Sequence, residues 1–246
     1  MLGALLSGIR AALGPDLVGV YLRGSLALGD FDPATSDLDF LAVTGRPVTE
    51  AQFAALAGMH AHLAELPGPY ARHLEGSYID HVSLRRFGPH ERRHPAVGSD
   101  WAFGRVHHGE DWVLERWIVR ERGVTLFGPD PKTLIDPISP QELKAAVRQH
   151  LRWWADLPDL PGWLLRRSEQ AFAVETMCRA HFTLHTGELP SKPRAAAWAL
   201  EELPGEWRPL IRRSRVGRAD DTPDPDTLPE VMDFVRWAAR VGETTA

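Results

Sequence analysis

The sequence contains one cysteine, Cys178, among its 246 residues. A single cysteine excludes a disulfide within the chain and a thiolate-rich zinc site, so we expect a reducing, cytoplasmic setting. Long apolar runs are also missing, and none approaches the length that a membrane-spanning helix needs. The apolar N-terminal stretch has Arg10 inside it and no basic segment before it, which favours an amphipathic helix over a signal peptide.

The chain also lacks an excess of positive charge. It has 28 Lys and Arg residues against 33 Asp and Glu residues, which gives a formal net charge of -5. Proteins that bind nucleic acid normally present a basic surface, so a nucleic-acid partner is not expected. An acidic cleft would instead attract a cationic small molecule. The length allows one large domain or two modest ones, and we expect a monomer.

The first half of the chain alternates helical and strand-like patterns. Short apolar, β-branched runs indicate strands, and apolar residues at three- and four-residue spacing indicate helices. The patterns predict strands at residues 17–22, 38–43 and 70–82, and helices at residues 2–13, 49–66 and 111–122. Residues 85–109, rich in Gly, Pro, His and Arg, are predicted to form a long surface segment. The histidines in it, among them His94 and His108, fit no metal-ligand spacing and are expected to be solvated.

The second half of the chain shows helical patterns only. Ser139, Pro140 and Glu142 resemble the capping box of a helix start, with Ser139 as the cap. The predicted helices cover residues 140–157, 162–186, 192–203, 205–213 and 228–241. The sequence therefore predicts an α+β protein, with a mixed sheet and helices over residues 1–135 and an all-helical bundle over residues 136–246.

The residues that suggest a chemical function lie between the first two predicted strands. The first strand runs into Gly24-Ser25, and the second opens with Asp37-Leu38-Asp39, with twelve positions from Ser25 to Asp37. Glycine lets a phosphate approach the backbone, and the backbone N–H groups and the Ser25 hydroxyl can donate hydrogen bonds to it. Side chains alternate along a strand, so Asp37 and Asp39 project from the same face.

Two neighbouring carboxylates repel each other unless a cation lies between them. Mg²⁺ prefers oxygen ligands and commonly accompanies a triphosphate. The pattern therefore indicates a nucleoside triphosphate held by Gly24 and Ser25 and aligned by one or two Mg²⁺ ions on Asp37 and Asp39, as in metal-assisted displacement at phosphorus. An isolated Asp-x-Asp is common in solvated loops, so the interpretation depends on the whole combination.

This stretch resembles the nucleotidyltransferase signature of the DNA polymerase β-like superfamily. The resemblance implies a polymerase β-like fold for the N-terminal domain. It also places Glu75, on a later predicted strand, where that superfamily carries a third carboxylate. Such a carboxylate would complete a metal site or accept a proton from an attacking hydroxyl. Without the resemblance, Glu75 would be an ordinary solvated strand residue.

Over nearly its whole length the chain resembles the aminoglycoside 3''/9 adenylyltransferases, the streptomycin and spectinomycin resistance enzymes. The matching pieces include Leu74-Glu75, residues 124–129, Asp136-Pro137-Ile138 and residues 191–199. The resemblance implies transfer of AMP from ATP to a hydroxyl of such an antibiotic. It makes Glu75 the catalytic base and places Lys192 near the nucleotide phosphates. Residues 85–108 do not match this family well.

Three residues near the predicted domain boundary are candidates for substrate contacts. Trp101 and Trp112 would form a wall beside the substrate. Asp111 would either bind a substrate ammonium group or cap its own helix after Gly109.

Two other functions stay open at this point. The chain would modify a different small molecule, a protein or an RNA, or it would be a non-catalytic nucleotide-binding module of the same fold. The presence of all three carboxylates speaks against the second alternative, because a pure binder does not need them.

Overall fold

Ten α-helices and six strands make up the part of the chain that this computed structural model describes, residues 1–88, 93–98, 101–159 and 161–245. These residues divide into two units, Met1–Ile138 and Ser139–Ala246. None of the helices in the described part combines the length and the apolar character that a bilayer crossing requires.

The first unit is built around a six-stranded sheet. Its strands are β1 (Leu17–Leu22), β2 (Leu38–Thr44), β3 (Leu74–Asp80), β4 (Arg93–Gly98), β5 (Trp101–His107) and β6 (Val124–Phe127). Their spatial order is β5-β4-β3-β2-β1-β6, with β2 and β3 parallel and the other neighbours antiparallel. The helices are α1 (Leu2–Leu13), α2 (Gly24–Leu28), α3 (Glu50–Ala64), α4 (His81–Arg85) and α5 (Asp111–Arg122).

The two faces of this sheet bury separate cores, and the alternation along β2 decides which side chain belongs to which. Phe40 lies in a core cluster with residues of α1 and α3. Leu41 lies in the other cluster, which includes Val119 of α5. Asp39 alternates in step with Leu41, so its side chain is on the α5 face. Glu75 of β3 pairs with Asp39 in the parallel register and shares that face.

The second unit is helical throughout its described residues. Its helices are α6 (Pro140–Ala155), α7 (Arg167–Thr186), α8 (Lys192–Glu202), α9 (Arg208–Gly217) and α10 (Leu228–Thr244). The predicted capping box at the start of α6 is confirmed, since Glu142 N donates to Ser139 Oγ at 3.2 Å and Ser139 N donates to Glu142 Oε2 at 2.8 Å. A mixed sheet with helices, followed by helices alone, confirms the predicted α+β class.

The prediction of a long surface segment at residues 85–109 is wrong. Within the described residues, β4 and β5 form an antiparallel pair there, and β4 continues the sheet by pairing with β3. His94 and His108 are 4% and 0% exposed, so neither is solvated. Pro95 and Gly98 interrupt the apolar alternation by which a strand is usually detected, which explains the wrong prediction.

The predicted strand at residues 70–82 is too long at both ends. Pro69–Ala71 form a short 3₁₀ turn, and β3 begins only at Leu74. At the other end, Asp80 accepts a hydrogen bond from Ser83 N at 3.0 Å and so caps α4. A helix cap therefore ends the strand two residues before the apolar pattern does.

Candidate active site

The turn after β1 places Gly24 directly against a carboxylate. Arg23 N donates to Asp39 O at 3.0 Å, which ties the turn to the start of β2. Gly24 has a φ of 61°, in the left-handed region that favours glycine. A Cβ atom built on it would lie 1.9 Å from Oδ2 of Asp39, so no larger residue fits this position without movement.

Ser25 follows in the first turn of α2, and its hydroxyl is buried. Ser25 Oγ has no hydrogen-bond partner among the described residues. A buried hydroxyl without a partner is costly, and a ligand oxygen at this position would satisfy it. The Gly24-Ser25 turn thus has two features expected of a phosphate-binding loop. Its glycine has no side chain to shield the backbone N–H groups, and its serine hydroxyl can still form a hydrogen bond.

The three predicted carboxylates do not all have the same surroundings. Asp39 and Glu75 are direct partners in the parallel register of β2 and β3. Asp37 precedes β2, and its Oδ1 lies 3.1 Å from Nδ1 of His73. No group of three or more His, Cys, Asp or Glu side chains in the described parts of the chain is arranged as a metal-binding cluster. The structure therefore brings Asp39 and Glu75 together and holds Asp37 against His73.

Arg23 is a site residue that the sequence analysis missed. Its side chain is 12% exposed, and it forms an ion pair with Glu115 of α5, with 2.6 Å between Nη1 and Oε2. Nη2 of the same guanidinium lies 3.6 Å from Oδ1 of Asp39. Its Cζ lies 5.6 Å from the centroid of the Trp112 ring, within cation–π range. The position of Arg23 next to Gly24-Ser25 is the only sequence signal that could have suggested a role.

The electrostatics of this cluster favour a cation. Burial above all, and then Glu75, Glu115 and Asp37, raise the pKa of Asp39 to about 7, and Arg23 opposes this rise. For Arg23, burial disfavours the charged form, yet Glu115, Asp39 and Glu75 together raise its pKa above the ordinary value. The Arg23 guanidinium thus interacts with three carboxylates, those of Glu115, Asp39 and Glu75. Asp39 and Glu75 offer carboxylate oxygens, the donor type that Mg²⁺ prefers, so their chemistry fits this ion, whose remaining ligands would come from the nucleotide and water.

The predicted substrate residues Asp111 and Trp112 lie at the start of α5. Trp112 stacks on His108, with 3.3 Å between the ring centroids and an interplanar angle of 5°. Burial and then Glu115 raise the pKa of Asp111 to about 6. A Cβ atom on Gly109 would lie 2.9 Å from Oδ1 of Asp111, so this carboxylate lies beside a residue two positions before its helix.

The third predicted substrate residue, Trp101, begins β5. Its side chain lies outside the part of the chain that the structure describes.

Lys192 is the first residue of α8, in the second unit. Its Nζ lies 4.1 Å from the centroid of the Phe172 ring. The buried Glu175 is an anionic neighbour: burial raises its pKa, and Arg218 and Lys192 oppose that rise. Glu175 also forms an ion pair with Arg218 at 3.4 Å. Lys192 thus belongs to a group of cations around a carboxylate.

Comparison with known proteins gives consistent matches. Residues 133–240 match the family described as the C-terminal domain of aminoglycoside adenylyltransferase. The aminoglycoside (3'') (9) adenylyltransferase of Escherichia coli is 27% identical over 243 residues, which cover 93% of this chain and 89% of the relative. The spectinomycin 9-adenylyltransferase of Campylobacter jejuni is 26% identical over 214 residues, 81% of this chain and 77% of the relative.

A solved structure matches over nearly the full length. The spectinomycin adenyltransferase AAD(9) from Enterococcus faecialis, solved with ATP and spectinomycin, aligns with a TM-score of 0.78 at 17% identity, covering 97% of this chain and 98% of that chain. This match confirms the predicted fold. Together with the sequence relatives, it confirms the predicted resemblance and the predicted class of enzyme, a nucleotidyltransferase.

Proposed function

We propose that this chain, which resembles the aminoglycoside adenylyltransferases along almost its whole length, transfers AMP from ATP to a hydroxyl of an aminoglycoside-type antibiotic and releases pyrophosphate. The observation that carries the proposal is the contact of Gly24 with Asp39, because it joins a phosphate-binding turn to a carboxylate that has Glu75 as its register partner. We assign residues 1–135 to the nucleotidyltransferase domain and residues 136–246 to a helical domain that closes on the nucleotide and substrate.

The first unit binds the nucleotide in this proposal. The backbone N–H groups at Gly24 and Ser25 and the Ser25 hydroxyl donate hydrogen bonds to the terminal phosphates. Asp37 and Asp39 would hold Mg²⁺, with Glu75 as a further oxygen ligand. When bound, Mg²⁺ supplies charge neutralisation at the phosphates and at the leaving pyrophosphate.

Glu75 acts as the general base. It accepts the proton of the substrate hydroxyl while that oxygen forms a bond to the α-phosphorus. On the opposite side, the α-phosphorus loses its bond to the oxygen that bridges the α- and β-phosphorus atoms of ATP, and this oxygen leaves with pyrophosphate. Positioning and electrostatic stabilisation supply most of the rate acceleration in such transfers.

The remaining assignments concern a lysine that contacts the nucleotide and three residues that contact the substrate. Lys192 contacts the nucleotide phosphates, an assignment supported by the resemblance. Asp111 binds a substrate ammonium group, and Trp112 and Trp101 provide apolar surface for its rings. The enzyme acts as a monomer in the cytoplasm, where ATP and Mg²⁺ are available.

The test is direct detection of the modified drug. The purified protein is incubated with ATP, Mg²⁺ and one drug at a time, from a panel of streptomycin, spectinomycin and other aminoglycosides. The masses of the products are then measured by mass spectrometry. We expect one or both named drugs to gain the mass of one adenylyl group, which is AMP less one water, with one pyrophosphate released for each. Pyrophosphate without drug modification would point to another acceptor, and neither product would contradict the proposed transfer.

A further inference from the structure

The Arg23 guanidinium has two carboxylate neighbours at unequal distances. Its Nη1 makes a 2.6 Å ion pair with Glu115, whereas its Nη2 stays 3.6 Å from Asp39, beyond an ordinary hydrogen bond. The two carboxylates come from different elements, Glu115 from α5 and Asp39 from β2. Arg23 therefore leans towards the helix and away from the carboxylate that we assign to the metal.

The backbone does not explain this preference. Arg23 N is hydrogen-bonded to Asp39 O at 3.0 Å, so the main chain of Arg23 is held next to Asp39. The side chain of Arg23 instead forms its ion pair with Glu115 and lies over the face of the Trp112 ring. Trp112 is itself fixed by its stacking on the buried His108. The ring and Glu115 together determine where the guanidinium lies.

We propose that Glu115 is a positioning residue that keeps Arg23 from closing on Asp39 and so leaves the Asp39 carboxylate available to Mg²⁺. The inference rests on the proposed function, because it requires Asp39 to be a metal ligand. An arginine that reaches a carboxylate with both of its terminal nitrogens occupies both oxygens. Held by Glu115, Arg23 compensates the charge of Asp39 from a distance and does not compete for its oxygens.

This inference predicts an unusual pattern in a double-mutant cycle. In Glu115→Gln, Arg23 loses its partner and moves to Asp39, so the metal binds more weakly. In Arg23→Met, no cation competes, and the metal binds at least as tightly as in the wild type. In the double variant Arg23→Met/Glu115→Gln, the absence of Arg23 makes the loss of Glu115 harmless. A purely structural role of the pair would make the double variant no better than Glu115→Gln.

The experiment measures Mn²⁺ binding by electron paramagnetic resonance, in the presence of a non-hydrolysable ATP analogue at pH 8. We expect Glu115→Gln to weaken Mn²⁺ binding about tenfold, a coupling of ordinary size for charges in contact. We expect the double variant to return to within about threefold of the wild type. Equal binding in Glu115→Gln and the wild type, or a double variant as weak as Glu115→Gln, would overturn the inference.

The matched control is Glu121→Gln, which removes a carboxylate from the same helix where it pairs with Arg120 and Lys132. Circular dichroism and urea unfolding check that each variant is folded. In turnover assays, Glu115→Gln should need about tenfold more Mg²⁺ for half-maximal rate and keep its kcat at saturating Mg²⁺.

The two proposals fail in different ways. A wild type that binds Mn²⁺ and shows the expected cycle, but modifies no drug, contradicts the proposed function and leaves the positioning role in place. A wild type that modifies drug without the expected cycle contradicts the positioning role alone. If the wild type does not bind Mn²⁺, the positioning role of Glu115 is contradicted too, because that role requires a metal at Asp39.

Discussion

Gly24 leaves no room for a side chain beside Asp39, because a Cβ atom on Gly24 would lie 1.9 Å from Asp39 Oδ2. The φ of 61° at Gly24 independently favours glycine. Two separate physical requirements therefore favour glycine at one position, which joins the Gly24-Ser25 turn to the carboxylate at the start of β2.

Gly24→Ala should lose both activity and stability. The added methyl group must displace the Asp39 carboxylate, so we expect kcat/KM to fall at least about 10²-fold, as for the loss of other precisely placed electrostatic groups. Alanine in this left-handed conformation should lower the free energy of unfolding by about 1–2 kcal/mol, measured in urea. Gly58→Ala is the control, since a Cβ there meets nothing within 4 Å, and it should keep full activity. Full activity of Gly24→Ala would refute the assignment of the turn.

Glu75→Gln should separate chemistry from binding. The amide keeps the size of the side chain but cannot accept the proton of the substrate hydroxyl, so turnover should fall about 10²-fold or more. Binding of a non-hydrolysable ATP analogue, measured by calorimetry, should change little. Glu65→Gln removes an exposed carboxylate of the same unit and should have no effect. If Glu75→Gln turned over at the wild-type rate, Glu75 would not be the base.

Lys192→Ala tests the assignment that depends most on the resemblance. Loss of a cation at the phosphates should raise the KM for ATP about tenfold, the effect of removing one charge-assisted hydrogen bond. The KM for the drug should stay nearly constant. Lys144→Ala, on α6 of the same unit, serves as the control. An unchanged KM for ATP would remove Lys192 from the nucleotide site.

Local features of the fold could be predicted from the sequence. Helix α1 begins and ends at the predicted residues, because Gly14-Pro15 stops the helical pattern sharply. The limits of β1 also agree with the prediction. The Gly24-Ser25 turn could be predicted because its glycine and its aspartates lie close together in the sequence.

Contacts between residues that are distant in the sequence could not be predicted. Arg23 and Glu115 are 92 positions apart, and no periodicity links a residue of a turn to one face of a later helix. The pairing of Asp37 with His73 spans 36 positions and depends on the parallel register of β2 and β3. The strand pair β4 and β5 was hidden by Pro95 and Gly98, which are unusual inside a sheet.

Acid should destabilise the protein through buried histidines, with His60 as the clearest case. His60 is 6% exposed, and its Nε2 lies 2.7 Å from the Tyr78 hydroxyl oxygen. Burial lowers its pKa from 6.5 to about 4. The unfolded chain therefore binds a proton between pH 6.5 and 4 that the folded chain does not. Its contribution to stability is complete above pH 6.5 and is lost as the pH falls towards 4.

The size of this effect is measurable by urea unfolding at several pH values. Each pH unit between the two pKa values is worth about 1.4 kcal/mol, so His60 should account for about 3 kcal/mol at pH 4. His60→Gln should flatten the pH dependence of the unfolding free energy, whereas His62→Gln, an exposed change on the same helix, should not. The same slope in His60→Gln and the wild type would contradict the assignment.

The central claim is that a metal-bound nucleotide lies at the Gly24-Ser25 turn on the carboxylates of β2 and β3. The most direct measurement is a crystal structure with Mn²⁺ and a non-hydrolysable ATP analogue, in which anomalous scattering locates the metal. We predict a peak at bonding distance from the Asp39 carboxylate, with phosphate oxygens at Ser25 Oγ. Mn²⁺ and phosphates bound elsewhere, with no metal at the Asp39 carboxylate, would contradict the account.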